Sequence, residues 1–276
     1  GTTSVWACNS SHVLGAGGSG AVYTMSADTM KEGDFYVGIN AESLQNEPLS
    51  DAVIEFATEN GAEHIHSIDA INMYSVSLSY GIKDDLTLNV MLPYMERTNI
   101  RAGEHHSHAD GHDQSEVHSH GDAKGIGDLS AILQYKILDD EKNKIALLAG
   151  IKAPTGKTDI QDEGEYLEAD LQPGSGSWDY YAGMIFSKHF DDFSLHSNVL
   201  YKYTTQGDFE SELGNVFSYN LAFAYKLIEE DHDEHDKDEG HDEHFDFSLD
   251  VFLELNGEYV QQDQQFGVDI ENTGGN

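Results

Sequence analysis

Ten of the fifteen histidines fall in two tracts. The first holds His105, His106, His108, His112, His118 and His120, interleaved with Glu104, Asp110, Asp113, Glu116 and Asp122. The second holds His232, His235, His241 and His244, inside a stretch from Glu229 to Asp246 that carries eleven carboxylates and one lysine. Neutral imidazole is a good ligand for Zn, Cu or Ni, and carboxylate oxygens can complete the shell. Such density points to divalent-metal binding by a flexible multidentate collector. A single ordered site needs a rigid support, which loops of this composition do not promise. His64 and His66 form a third candidate pair. Cys8 with His12 reads as a metal pair, an acylated cysteine or a stray thiol, and Ser4-Val5-Trp6-Ala7 is a poor match to a lipid-attachment site. With one cysteine, no internal disulfide can form. No nucleophile–base pair or paired acid stands out, so the residues carry no enzyme signature and imply no obligatory cofactor.

The elements that must position these residues are strands. In residues 217–227, Phe217, Tyr219, Leu221, Phe223, Tyr225 and Leu227 alternate with Ser218, Asn220, Ala222, Ala224 and Lys226. The same period of two runs through 74–82 and 245–256. Nine such segments are expected, at 34–43, 69–83, 86–99, 126–138, 143–153, 177–190, 192–204, 215–228 and 245–259. They are long for a sandwich, and Trp178, Tyr180, Phe190, Phe193, Tyr201, Tyr203, Phe217 and Phe245 gather at their ends, as in interfacial girdles. The connections alternate between tight (83–85, 139–142, 191–192) and long (44–68, 100–125, 154–176, 205–214). Long strands, aromatic ends and two loop classes together specify an all-β fold, an antiparallel transmembrane β-barrel in the bacterial outer membrane, with short turns periplasmic and long loops outside. A soluble β-sandwich is the competing architecture.

Nine is an odd count where barrels are even, so three further strands are expected, giving about twelve in a complete protein. Residues 1–33 read as a Gly/Ser-rich arm, periplasmic or folded into the lumen, and 34–276 as the barrel, with His-rich loops at 101–124 and 229–245. Loop 44–68 should contain a short helix capped by Ser50 and stopped by Asn60-Gly61, with Val53, Phe56 and Ala57 on one face. The 229–244 connection is long where alternation asks for a short periplasmic turn.

The inward parity carries charge of both signs. Arg97, Lys136, Lys152, Lys202 and Lys226 fall on strands three to eight, and Asp246, Asp250, Glu254 and Glu258 on strand nine. Facing opposite charges either orient a polar solute or pair to fill a small barrel. A net charge of -37 excludes a nucleic-acid partner, because phosphate contact needs a basic patch. Membrane lipid and divalent cations are the partners such a surface suits.

Three motifs follow in order: Gly125-Ile126-Gly127-Asp128 opening a strand, Ala153-Pro154-Thr155-Gly156-Lys157-Thr158 closing the next, and Gln172 to Tyr180 (Gln-Pro-Gly-Ser-Gly-Ser-Trp-Asp-Tyr) opening the one after. The middle motif lacks phosphate-loop spacing and leads into no helix. Their order resembles the outer-membrane proteins named after the meta-pathway of phenol degradation, from Asp34 to the end. The resemblance implies an outer-membrane barrel with a transport role. The His-rich loops depart from the plain pattern and suggest a metal-related branch. The function expected is therefore an outer-membrane channel or transport-associated barrel whose His/Asp-rich loops bind divalent metal. Two alternatives stand beside it: a metal-sequestering protein anchored by the barrel, and an uptake channel for small aromatic or hydrophobic compounds.

Overall fold

The computed structural model describes residues 23–61, 65–107, 113–140, 142–190, 193–229, 248–270 and 273–275. In chain order these form β1 (Phe35–Gln45), α1 (Asp51–Glu59), β2 (His66–Ser67), β3 (Ala70–Lys83), β4 (Leu86–Ser107), β5 (Asp113–Ile126), β6 (Leu129–Asp139), β7 (Asn143–Ala153), β8 (Gln161–Asp162) and β9 (Glu165–Tyr166). There follow β10 (Asp179–Phe190), β11 (Phe193–Tyr203), one 3-10 turn (Asp208–Glu210), β12 (Ser211–Glu212), β13 (Val216–Glu229), β14 (Ser248–Val260), β15 (Gln264–Gln265) and β16 (Val268–Asp269). Nine long strands form an antiparallel meander in the order β1-β3-β4-β6-β7-β10-β11-β13-β14, a half-barrel. Among the described residues its two end strands, β1 and β14, do not pair with each other. No described helix is long and apolar enough to cross a membrane.

The period of two separates the faces as expected. Val37, Val76, Leu78, Leu133, Leu147, Met184, Tyr219, Val251 and Leu253 stand exposed on the outer face. Ser75, Ser77, Ser79, Thr87, Asn89, Gln134, Lys152, Asn198, Lys202 and Ser218 are buried inside. A soluble sandwich would place these two sets the other way round, because its core is apolar. Tight connections β3–β4 and β6–β7 lie at one rim, with Gly33 N–H donating to Gly81 O at 2.8 Å. The 191–192 turn and the 230–247 connection, including Asp246 and the second histidine tract, lie outside the described residues.

At the long-loop rim the structure corrects two expectations. Residues 100–107 and 113–125 are strand and not loop. β4 runs on to Ser107 and returns as β5 in a ribbon, with Gly103 opposite Val117 and Glu104 opposite Glu116. Glu116, Ser119, Gly121, Asp122 and Lys124 are exposed on this ribbon, and its sequence lacks the apolar–polar alternation that marks the barrel strands. The register shifts around Ile100, where Asn99 takes a φ of 51°, and this bulge re-aims the chain from barrel wall to ribbon. The helix is found where expected, with Ser50 extended before it and Gly61 having a φ of 82° after it, but the Ser50 side chain makes no capping hydrogen bond. Its packing face, however, is Ile54 and Thr58, while Val53 and Phe56 are exposed. Ile54 and Thr58 sit where a Cβ on Gly103 would lie, so only glycine on the ribbon lets the helix seat there. A second small core, of Ile100, Ala123, Leu167 and Leu171 with Ile68 and Ile160 against it, ties the ribbon's root to the 154–176 loop.

Candidate functional site

Residues 23–31 enter the half-barrel and are held by its inner face. Met25 and Ala27 pack in one apolar cluster with Ile132, Ala146, Leu148, Tyr181, Ile185 and Leu200. Their spacing of two matches the wall they cover. The backbone between them is satisfied by lumen side chains. Met25 N–H donates to Asn198 Oδ1 at 3.0 Å and Ala27 N–H to Ser187 Oγ at 2.8 Å. Gln134 Nε2 donates to the carbonyls of Ser26 and Asp28 at 2.9 and 3.0 Å, and Met30 N–H donates to Thr87 Oγ1 at 2.9 Å. Asp28 pairs with Lys144. Tyr23 touches both end strands, its N–H donating to Glu254 on β14 at 2.9 Å and its hydroxyl to Glu42 on β1 at 2.8 Å. Residues 23–31 of the arm thus lie against the inner face of the half-barrel. Elsewhere on the inner wall Ser75 Oγ and Asn89 Nδ2 are buried with no partner among the described residues.

At the long-loop end, the three sequence motifs converge on one carboxylate. Asp128 accepts from Gly156 N–H at 2.8 Å, Ser175 N–H at 2.9 Å and Ser175 Oγ at 2.8 Å. Lys152 Nζ lies 3.1 Å from Asp128 and 2.6 Å from Asp179, both carboxylates being buried. A Cβ on Gly156 would meet Gly174 Cα at 2.6 Å, so the two loops touch backbone to backbone. The motifs are therefore one structural knot at the mouth, formed from turn chemistry.

The other lumen residues divide. Arg97 is buried and donates to Gln172 O at 3.3 Å. Lys202 is buried, and Lys136 pairs with Asp139 at 2.5 Å on its own strand. Glu258 accepts from Ser218 Oγ at 2.9 Å. Lys226 is exposed near the short-turn rim. Asp250 lies on β14, with its side chain outside the described residues.

Of the metal candidates, Cys8, His12, His64, His108 and His112 lie outside the described residues, and His105 and His106 are described in backbone only. His118 and His120 converge with Asp162, which the sequence did not single out. The His120 hydrogen bond chiefly holds the Asp162 carboxyl below the usual carboxylate range. His66 is buried between Glu168, 3.5 Å from its Nε2, and Asp170, 4.0 Å from its Nδ1. Burial pulls this imidazole down, but the Glu168 hydrogen bond and the two carboxylate charges outweigh it, leaving its pKa above the ordinary value. With carboxylates on opposite ring nitrogens, His66 is placed as an ionic clasp between β2 and the 154–176 loop. Nearby Asp263 accepts from Gly214 N–H at 2.5 Å, and burial, reinforced by Asp170, pushes it up to about 6.

Comparison with known proteins bears on this geometry. No curated protein matches the chain. Among solved structures, an outer membrane channel from Pseudomonas putida F1 matches with a TM-score of 0.51 and 16% identity, over 90% of this chain and 80% of that one. The likeness shows a shared outer-membrane barrel fold. A monoaromatic hydrocarbon channel, CymD, matches with a TM-score of 0.38 and 10% identity, over 83% of this chain and 65% of that one, too loosely to bear on the fold. The family described as the MetA-pathway of phenol degradation matches residues 79–234, more than half of the chain, and the chain belongs to that family.

Proposed function

We propose that the chain works in the outer membrane as a passive channel for small solutes, its bore restricted by residues 23–31. The observation that carries this reading is the inverted barrel. Its apolar side chains face lipid, and its polar inner face surrounds a segment tied down by side-chain hydrogen bonds. The buried Lys152 bridge between Asp128 and Asp179 at the mouth pairs charge that would otherwise repel or trap ions. A small neutral solute, such as the phenolic compounds named in the family description, fits a narrow, charge-compensated passage better than a metal ion does. The acid-rich histidine tracts then serve to raise the local concentration of divalent cations.

Liposome swelling with neutral solutes of graded size tests the proposal. Phenol-sized and pentose-sized solutes should enter vesicles holding the protein, and disaccharides should be excluded. Vesicles that stay impermeable to every solute would leave the barrel as an anchor only.

A further inference from the structure

Outside the lumen, one cluster has the form of a built metal site. His118 and His120 stand two residues apart on β5, so their side chains project from the same face. Their rings lie 5.0 Å apart at 57°, with His118 Nε2 and His120 Nδ1 each 2.9 Å from a single atom, Asp162 Oδ2. Two imidazole nitrogens and one carboxylate oxygen thus converge, all three within 4.8 Å of one another. The three side chains are partly shielded, at 32%, 14% and 26% exposure.

The support is packed as well. Asp162 ends β8 at a tight turn in which Glu163 and Gly164 both take positive φ, 48° and 92°. The hairpin it belongs to is anchored by Leu167 in the small core and by Tyr166 against the Phe209 ring at 5.4 Å. Ala123, buried in that same core, fixes the base of β5 below His120. These contacts pack around His118, His120 and Asp162, where the sequence alone promised the histidines no rigid support.

We infer that His118, His120 and Asp162 form an ordered site for a borderline divalent transition metal, Zn or Co in type, which clamps the β4–β5 ribbon to the β8–β9 hairpin. The site does not depend on the channel reading. It deepens the histidine-tract reading, since it draws two ligands from the first tract. Two nitrogens and one oxygen are the donors that suit Zn, Co or Ni, whereas Ca and Mg prefer oxygen alone and Cu(I) prefers sulfur. Three protein ligands leave a position open for water or a further ligand. Asp162 is what separates a defined site from diffuse collection, because it lies outside the tract, 42 residues from His120.

The test is Zn(II) titration calorimetry on the folded full chain in detergent, with Co(II) absorption reporting coordination. Heat-modifiable gel migration confirms folding of each variant. Wild type should show one tight equivalent above weaker ones. H118N, H120N and D162N should each weaken the tight equivalent by roughly tenfold or more, since even outer-shell changes cost about that much. D162H, which supplies a replacement ligand, should keep it. So should a variant with His105, His106, His108 and His112 all changed to Asn. A folded D162N that binds as tightly as wild type would overturn the site, as would loss of the tight equivalent in the four-histidine variant or in a folded D162H. If the tight equivalent is absent from wild type while weaker ones persist, the site fails and the tract reading survives. If wild type binds no Zn at all, both fail.

Discussion

The barrel wall and the cap above its long-loop rim are built from the same chain by different rules. In the wall each strand separates lipid from lumen, so every second residue is apolar and the order β3-β4-β6-β7-β10-β11-β13 follows the sequence. In the cap, the β4–β5 ribbon is held by α1, the small core around Leu167 and ionic clasps such as His66 with Glu168. The wall is specified by local pattern, and the cap by contacts between distant segments. Substitutions should therefore act on the two regions in different ways.

The largest effect is expected where wall and cap meet. Lys152→Met leaves Asp128 and Asp179 buried without their cation, and removing one partner of a buried pair costs about 3–5 kcal/mol. Chemical denaturation in vesicles should show this loss, and a drop under 1 kcal/mol would mean that backbone donors alone hold the knot. Next comes the wall. Leu147→Arg places charge on the lipid face of β7 and should cost about 2–4 kcal/mol, whereas Ser77→Asn on the inner face should cost far less. Equal costs on the two faces would erase the distinction between lipid and lumen on which the fold rests.

The smallest effect belongs to the cap and to pH. His66 titrates above its unfolded value, so its stabilising contribution is complete below about 6.5 and is lost as pH rises through its raised folded value. Asp263 is also raised, to about 6, so its contribution is complete below its unfolded value and is lost as pH climbs through about 6. Both shifts favour a tighter cap under mildly acidic conditions. Hydrogen exchange at residues 165–172 and 263–265 should therefore be faster at pH 8 than at pH 5 after correction for intrinsic rates. Asp263→Asn should flatten the profile, and slower exchange at pH 8 would reverse the assignment.

Legibility in the sequence follows the same division. All nine wall strands can be read from period-two patterning, because lipid on one side and a polar lumen on the other write it into every strand. The β4–β5 ribbon cannot, since its His, Ser, Gly and Glu residues leave no apolar rhythm in the sequence. Once the ribbon is recognised, the spacing of His118 and His120 does place them on one face. Their partner Asp162 depends on how a distant hairpin packs, which no local pattern encodes. The helix ends at Ser50 and Gly61 are likewise local signals, while its buried face was set by Gly103 on another element. For residues 23–31, composition suggested an arm, but only the apolar spacing of Met25 and Ala27 hinted at the wall they cover.

The central claim is a conducting lumen narrowed by its own N-terminal segment, and single-channel recording in planar bilayers tests it most directly. The full chain should give small, ion-poor conductance steps, and a folded variant lacking residues 1–31 should give distinctly larger ones. Silence from both proteins, or identical conductance with and without the segment, would contradict the account.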